Sequence, residues 1–145
     1  NDIQRTIRAY EIKKYTKISI TDWFKNTKKI FKKDSFIKIY IDFSRPELIQ
    51  RINKRTQKML DQGAINEVRR YSKLNIKKDN STTKIIGIQE ILKFLHGESS
   101  LSEVREQISI KTRQYAKRQS TWARGQMTDW QKIEPQNLKL VLKKF

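Results

Sequence analysis

Apolar residues recur along this chain at spacings that change from helical to strand-like and back. Ile3, Ile7 and Tyr10 stand four and three apart, which predicts a helix from a cap at Asp2 to about Thr16 with those three on its buried face. Thr21 to Lys33 sets Trp23, Phe24, Ile30 and Phe31 among five lysines and reads as one short helix plus a basic loop. Phe36 to Phe43, FIKIYIDF, is rich in β-branched and aromatic residues and reads as a buried strand. Ser44 and Glu47 have capping-box spacing, Pro46 suits a first turn, and Leu48, Ile49, Ile52 and Met59 face inward until Gly63 stops that helix. A second helix, Ile65 to Leu74, follows at once. Asn75 to Thr82 is a polar loop with turn residues Asp79-Asn80-Ser81. Ile85 to Leu95 is an apolar helix ended by His96-Gly97. Ser100 or Ser102 caps a long helix to about Arg124, released by Gly125. Thr128 to Ile133 reads as a short strand around Trp130, Pro135 breaks the chain, and Leu138 to Phe145 is a terminal amphipathic helix. Helices dominate with at least one strand, which suits part of an α/β fold.

Charge changes this picture most. Of 145 residues, 33 are Lys or Arg and 15 Asp or Glu, for a net charge of +18. Such an excess points to an anionic partner, nucleic acid first. The alternative is a solvated lysine-rich surface, and Lys does outnumber Arg 22 to 11. Arginines recurring at helical spacing favour nucleic acid. The apolar fraction of 36% allows one domain with a modest core. No cysteine and a single histidine, His96, exclude disulfides and zinc sites of the Cys/His type. His96, before Gly97, reads as a solvent-facing helix cap. No signal segment and no apolar run near membrane-spanning length is found, so the chain is read as soluble. The lack of cysteine fits a reducing cytoplasm, and a monomer is expected. The chain opens at Asn1, without Met and inside a helical pattern, as expected of a fragment, a processed product or the downstream half of something longer.

The most informative stretch is Thr112 to Gly125, TRQYAKRQSTWARG. It puts Arg113, Lys117 and Arg124 on one helical stripe, with Lys111 and Arg118 in a second basic row and Tyr115 and Trp122 seven apart on a third line. Cations beside large planar side chains suit phosphates and unstacked bases. Trp122 is either such a stacking group or core, and Tyr115, at heptad spacing, reads as core.

This wording resembles a signature near the C-terminus of the tRNA dimethylallyltransferase family. Three further blocks resemble that family in the same order: Asp2-Ile3-Gln4-Arg5-Thr6-Ile7-Arg8-Ala9-Tyr10-Glu11; Arg51-Ile52-Asn53-Lys54-Arg55 with Met59-Leu60, Gly63 and Glu67-Val68; and Lys84-Ile85-Ile86-Gly87-Ile88-Gln89-Glu90. The resemblance implies the C-terminal portion of a P-loop-type α/β core, mostly helical as it stands. Residues 1–33 would end a helical tRNA-contacting insertion, and 34–145 would return to the core. It implies transfer of a dimethylallyl group from its diphosphate to the N6 amine of the adenosine 3′ of the anticodon. By the same resemblance Arg55 would contact the departing diphosphate, where a fixed guanidinium stabilises growing negative charge. Gln4, Arg5, Thr6, Ile7 and Arg8, then Lys84, Gly87 and Gln89, and Lys117, Arg118, Gln119, Thr121, Trp122 and Arg124 would face the tRNA anticodon arm. On residues alone, Gln4, Arg8 and Glu11 could equally form a solvated face with an Arg–Glu pair, and Arg55 a surface arginine beside Glu47 or Asp61. Ile88 and Gln89 stand where the family carries an aromatic and a basic residue, and Lys84 where arginine is frequent. Trp130 resembles a tryptophan that follows the basic helix and reads as core.

The family's phosphate loop, G-x-x-x-x-G-K-[ST], has no match here, since Gly63, Gly87, Gly97 and Gly125 are isolated. Mg²⁺ and the general base would come from an N-terminal half this chain lacks. The chain alone is therefore expected to be inactive and its strand to have lost its sheet neighbours, leaving an exposed apolar edge. A non-catalytic basic RNA-binding module is the alternative function. A ribosome-associated structural protein fits less well, because the segments are capped and amphipathic.

Overall fold

The computed structural model describes residues 2–28, 30–32, 35–74 and 81–143. It is mostly helical with a small parallel sheet, part of an α/β fold. Contacts divide it into two compact units, Asn1–Ile37 and Lys38–Phe145. The boundary expected at 33/34, the loop over 75–80 and residues 144–145 of the expected last helix lie outside the described residues.

The first unit contains α1 (Ile3–Thr16) and α2 (Ile20–Asn26). The Asp2 carboxylate accepts from the Arg5 N–H and caps α1, while Ser19 accepts from the Asp22 N–H and caps α2. The Trp23 indole donates to Thr16 Oγ1 at 3.2 Å and ties the two helices. Ile3, Ile7 and Tyr10 do not form the buried face their spacing predicts: α1 buries no residue, and all three are exposed. Helical periodicity marks an apolar stripe without supplying the surface that covers it.

The second unit begins with β1 (Ile39–Ile41), shorter than the expected Phe36–Phe43 strand, with Phe36 and Ile37 exposed. β1 keeps one sheet neighbour, and its other edge pairs with no strand among the described residues. It pairs in parallel with β2 (Gln131–Ile133), Ile39 opposite Gln131 and Ile41 opposite Ile133. The Lys38 ammonium and the Asp129 carboxylate close this pair at 2.5 Å. Parallel pairing requires a long crossover, and four helices supply it. These are α3 (Arg45–Asp61), α4 (Ala64–Ser72), α5 (Ile88–Leu95) and α6 (Leu101–Gln126), and α7 (Leu138–Leu142) follows β2.

Local chemistry explains the helix ends. Ser44 caps α3 by accepting from the Glu47 N–H, with Pro46 in the first turn. Gly63, at φ 103°, makes the sharp change of direction into α4. Ser100, rather than Ser102, caps α6 in a reciprocal box with Glu103. Gly125 does not release α6, which runs on to Gln126. The apolar helix expected from Ile85 starts only at Ile88, after Gly87, and Ile85 is exposed.

Leu60, Ala64, Val68, Ile91, Val104 and Ile108 form the core between α3, α4, α5 and the first half of α6. Ile91 and Val104 are each only 1% exposed. Trp130, expected in the core, is half-buried. Ile91→Ala should cost about 2–5 kcal/mol, as buried aliphatic truncations do, read as a lower midpoint in urea unfolding. A loss below about 1 kcal/mol would mean the site collapses around the cavity.

Candidate functional site

α6 has two unlike edges. Ser109 and Ala123 are buried, and Arg113, Ala116 and Ser120 between them are half-buried, so a line of mostly small side chains faces inward at heptad spacing. Lys117, Arg118, Gln119, Thr121, Trp122 and Arg124 all lie exposed on the rest of the helix. Arg113 thus sits at the inner margin of the stripe whose outer members are Lys117 and Arg124. Tyr115 is not core as its spacing predicts, but 48% exposed, and Trp122 is 59% exposed. The inward line is already occupied by residues that allow close approach. The Arg118 guanidinium lies 5.8 Å from the Tyr115 ring centroid, a cation–π distance that holds both groups outward. Arg124 donates to the Ser120 carbonyl at 3.4 Å.

The Gly87 turn lies against the core half of α6. Gly87 is buried with φ 109° and ψ −31°, a backbone conformation that L side chains rarely adopt. A Cβ there would meet Ile108 Cδ1 at 3.6 Å and Met59 Cε at 3.9 Å, ordinary contacts, so the dihedral rather than space demands glycine. Ile88 packs against the apolar core instead of presenting a stacking surface. Lys84 and Gln89 are exposed on either side of the turn, and Gln89 donates to the Thr83 carbonyl at 3.4 Å.

The residue that joins these segments, Glu90, stands in the sequence block Lys84 to Glu90 but has no role assigned there. Glu90 is 7% exposed. Its Oε2 accepts from the Gly87 N–H at 2.8 Å, and its Oε1 pairs with the Lys111 ammonium on α6. Burial pushes the Glu90 carboxyl up, but the Lys111 ammonium, its own backbone N–H and that of Gly87 together hold it below the usual carboxylate range. Lys111, counted from the sequence as the head of a basic row, spends its charge here. The signal was present: an acid three residues after a glycine, on a helix otherwise apolar at Ile88, Ile91 and Leu92.

Arg55 is exposed on α3 and forms no ion pair with a carboxylate among the described residues. Arg51, one turn earlier, holds its guanidinium 4.7 Å over the Phe43 ring. Phe43 lines a cleft of about 430 Å³ at the C-terminal ends of β1 and β2, together with Asp42, Ser44, Glu47 and Lys132. In the first unit Arg5 pairs with Asp2 at 3.1 Å and Arg8 with Glu11 at 3.3 Å, both exposed. Gln4, Thr6 and Ile7 are exposed as well, and Thr6 Oγ1 donates to the Asp2 carbonyl. Among the described residues no group of three or more His, Cys, Asp or Glu could hold a metal ion. No helix among them is long and apolar enough to cross a membrane.

Residues 1–126 match the family model described as IPP transferase. The chain belongs to the IPP transferase family. It is 54% identical over all of its 145 residues to a tRNA dimethylallyltransferase of Pelagibacter ubique, spanning 46% of that relative. It is 40% identical over 136 residues to a tRNA dimethylallyltransferase of Agrobacterium fabrum, again spanning 46% of that protein. Among solved structures, the tRNA delta(2)-isopentenylpyrophosphate transferase of Staphylococcus epidermidis is similar over 99% of this chain and 47% of its own, at TM-score 0.68 and 29% identity. The chain therefore spans about half the length of the IPP transferases it matches.

Two tests follow from the Glu90 geometry. Because the Glu90 carboxyl is held low in the fold, its stabilising contribution is present above the ordinary carboxylate range and is lost as pH falls through the folded value. Glu90→Gln should therefore be most destabilised relative to the parent near neutral pH, and the gap should close on acidification, as followed by urea midpoints at several pH values. Glu103, also lowered by the backbone N–H and hydroxyl of Ser100, leaves some acid sensitivity in that variant. Gly87→Ala should lose about 1–3 kcal/mol through backbone strain, with no cavity or clash to account for it.

Proposed function

We propose that this chain is the tRNA-gripping, diphosphate-neutralising part of a tRNA dimethylallyltransferase. The observation that carries the reading is the outward half of α6, where Lys117, Arg118, Trp122 and Arg124 stand exposed beside a line of small residues turned inward. Cations there suit the phosphates of an anticodon arm, and Trp122 suits a base or ribose taken out of the stack. Lys84, Gly87 and Gln89 extend the contact to further nucleotides, and the first unit, taken by itself, offers Gln4, Arg5, Thr6, Ile7 and Arg8 to the RNA. The net charge of +18 supports an RNA partner of this kind.

Arg55 acts on the other substrate. As the allylic carbon–oxygen bond of dimethylallyl diphosphate breaks, the electron pair stays on the diphosphate oxygen. A guanidinium that spends no charge on a carboxylate is free to meet it. The adenosine N6 amine then bonds to the allylic carbon and gives up a proton. The group that takes that proton, the phosphate loop and the Mg²⁺ belong in this proposal to the other half of the enzyme, and no step here passes through a metal. The setting is the cytoplasm, and the chain works as one copy.

The test combines this chain with the N-terminal half of the Pelagibacter relative, dimethylallyl diphosphate, Mg²⁺ and an unmodified anticodon stem–loop. Transfer should require both halves. Arg55→Gln should lower transfer at saturating RNA about a hundredfold, the scale of losing one donor to a developing anion, while RNA binding stays within about twofold. Transfer by this chain alone would show that the chemistry does not need the added N-terminal half. RNA binding with no preference for the stem–loop, and no transfer with both halves, would mark a non-catalytic RNA-binding module instead.

A further inference from the structure

Glu90 is the one charged residue among the buried described residues, and it touches two segments that the preceding reading assigns to RNA. Its carboxylate accepts the Gly87 N–H with one oxygen and pairs with Lys111 of α6 through the other. Gly87 stands between Lys84 and Gln89. Lys111 lies about 1.7 turns before Lys117 on a continuous helix. We propose that Glu90 is a positioning residue for RNA recognition: it fixes the Gly87 turn on α6, so that the cations of the turn and of α6 meet the RNA as one surface.

The chemistry favours tethering over direct contact. A carboxylate repels phosphate, and both oxygens of Glu90 are already engaged within the protein. Its two bonds point to the turn and to α6, not to solvent. Gly87 is buried at φ 109° against Ile108 and Met59, and the Glu90 carboxylate satisfies the N–H that this turn buries. The ion pair with Lys111 then sets where along α6 the turn sits. Lys111, half-exposed but paired, contributes to this register and not to phosphate binding. The inference rests on the proposal that the turn and α6 face RNA.

Binding of this chain to an unmodified anticodon stem–loop and to polyuridine of equal length tests it. The parent should prefer the stem–loop. Glu90→Ala should lose about tenfold on the stem–loop and less than about twofold on polyuridine, since charges still bind single strands when their spacing is wrong. Glu90→Gln, which still accepts from the Gly87 N–H, should recover to within about threefold of the parent. Lys111→Met should lose about threefold on the stem–loop with an unchanged salt slope, whereas a phosphate-contacting lysine would lower that slope by about one.

Stem–loop binding by Glu90→Ala equal to the parent would overturn the inference. So would equal losses on both RNAs, the mark of a merely structural role, or a shallower salt slope in Lys111→Met. If Glu90→Ala does not melt cooperatively, Glu90→Gln and Lys111→Met decide by the same criteria. A parent chain that shows no preference for the stem–loop would instead defeat the RNA reading on which the inference stands.

Discussion

A carboxylate taken out of water costs several kcal/mol unless charge and hydrogen bonds meet it, and Glu90 obliges its surroundings to do so. The Gly87 N–H, already committed by its left-handed φ, meets one oxygen. The Lys111 ammonium meets the other. Ile91, the next residue, is buried with Val104 and Ile108, which fixes the backbone that carries the carboxylate. Helix start, turn conformation and the register of α6 are therefore one constraint expressed three times.

That constraint explains the division of labour along α6. Its first half is held by aliphatic packing and by Lys111, and carries no free charge toward the core. Beyond it the helix has only a line of small residues to bury, so the bulky and charged side chains have nowhere to go but outward. The capping box at Ser100 and Glu103 starts a helix of 26 residues, about 39 Å long, packed on one side as far as Ala123 and cationic on the other.

Much of this was legible locally. Asp2, Ser19, Ser44 and Ser100 each accept a backbone N–H at the start of a helix. Gly63 and Gly87 mark changes of direction that only glycine makes without strain. Four blocks in series, the basic and aromatic stretch Thr112 to Gly125 among them, carried the family membership. What failed were statements about partners. Ile3, Ile7 and Tyr10 have helical spacing yet lie exposed, and Tyr115 has heptad spacing yet points outward. The strand at Phe36 to Phe43 shrank to Ile39–Ile41, because its length depends on a neighbour, β2, some ninety residues downstream. Periodicity reports which residues share a face and not what that face meets.

The sequence by itself determined the helices, their caps, the charge excess and the family, because each is written in residues within a turn or two of one another. Only the tertiary structure decided which cations are spent and which are free. Lys111 and Arg118 look alike in the sequence, seven apart on one helix. One is neutralised by a buried carboxylate from α5 and the other stacks over Tyr115 at the surface. Charge is a local property, but its availability depends on what the fold brings within a few ångströms of it.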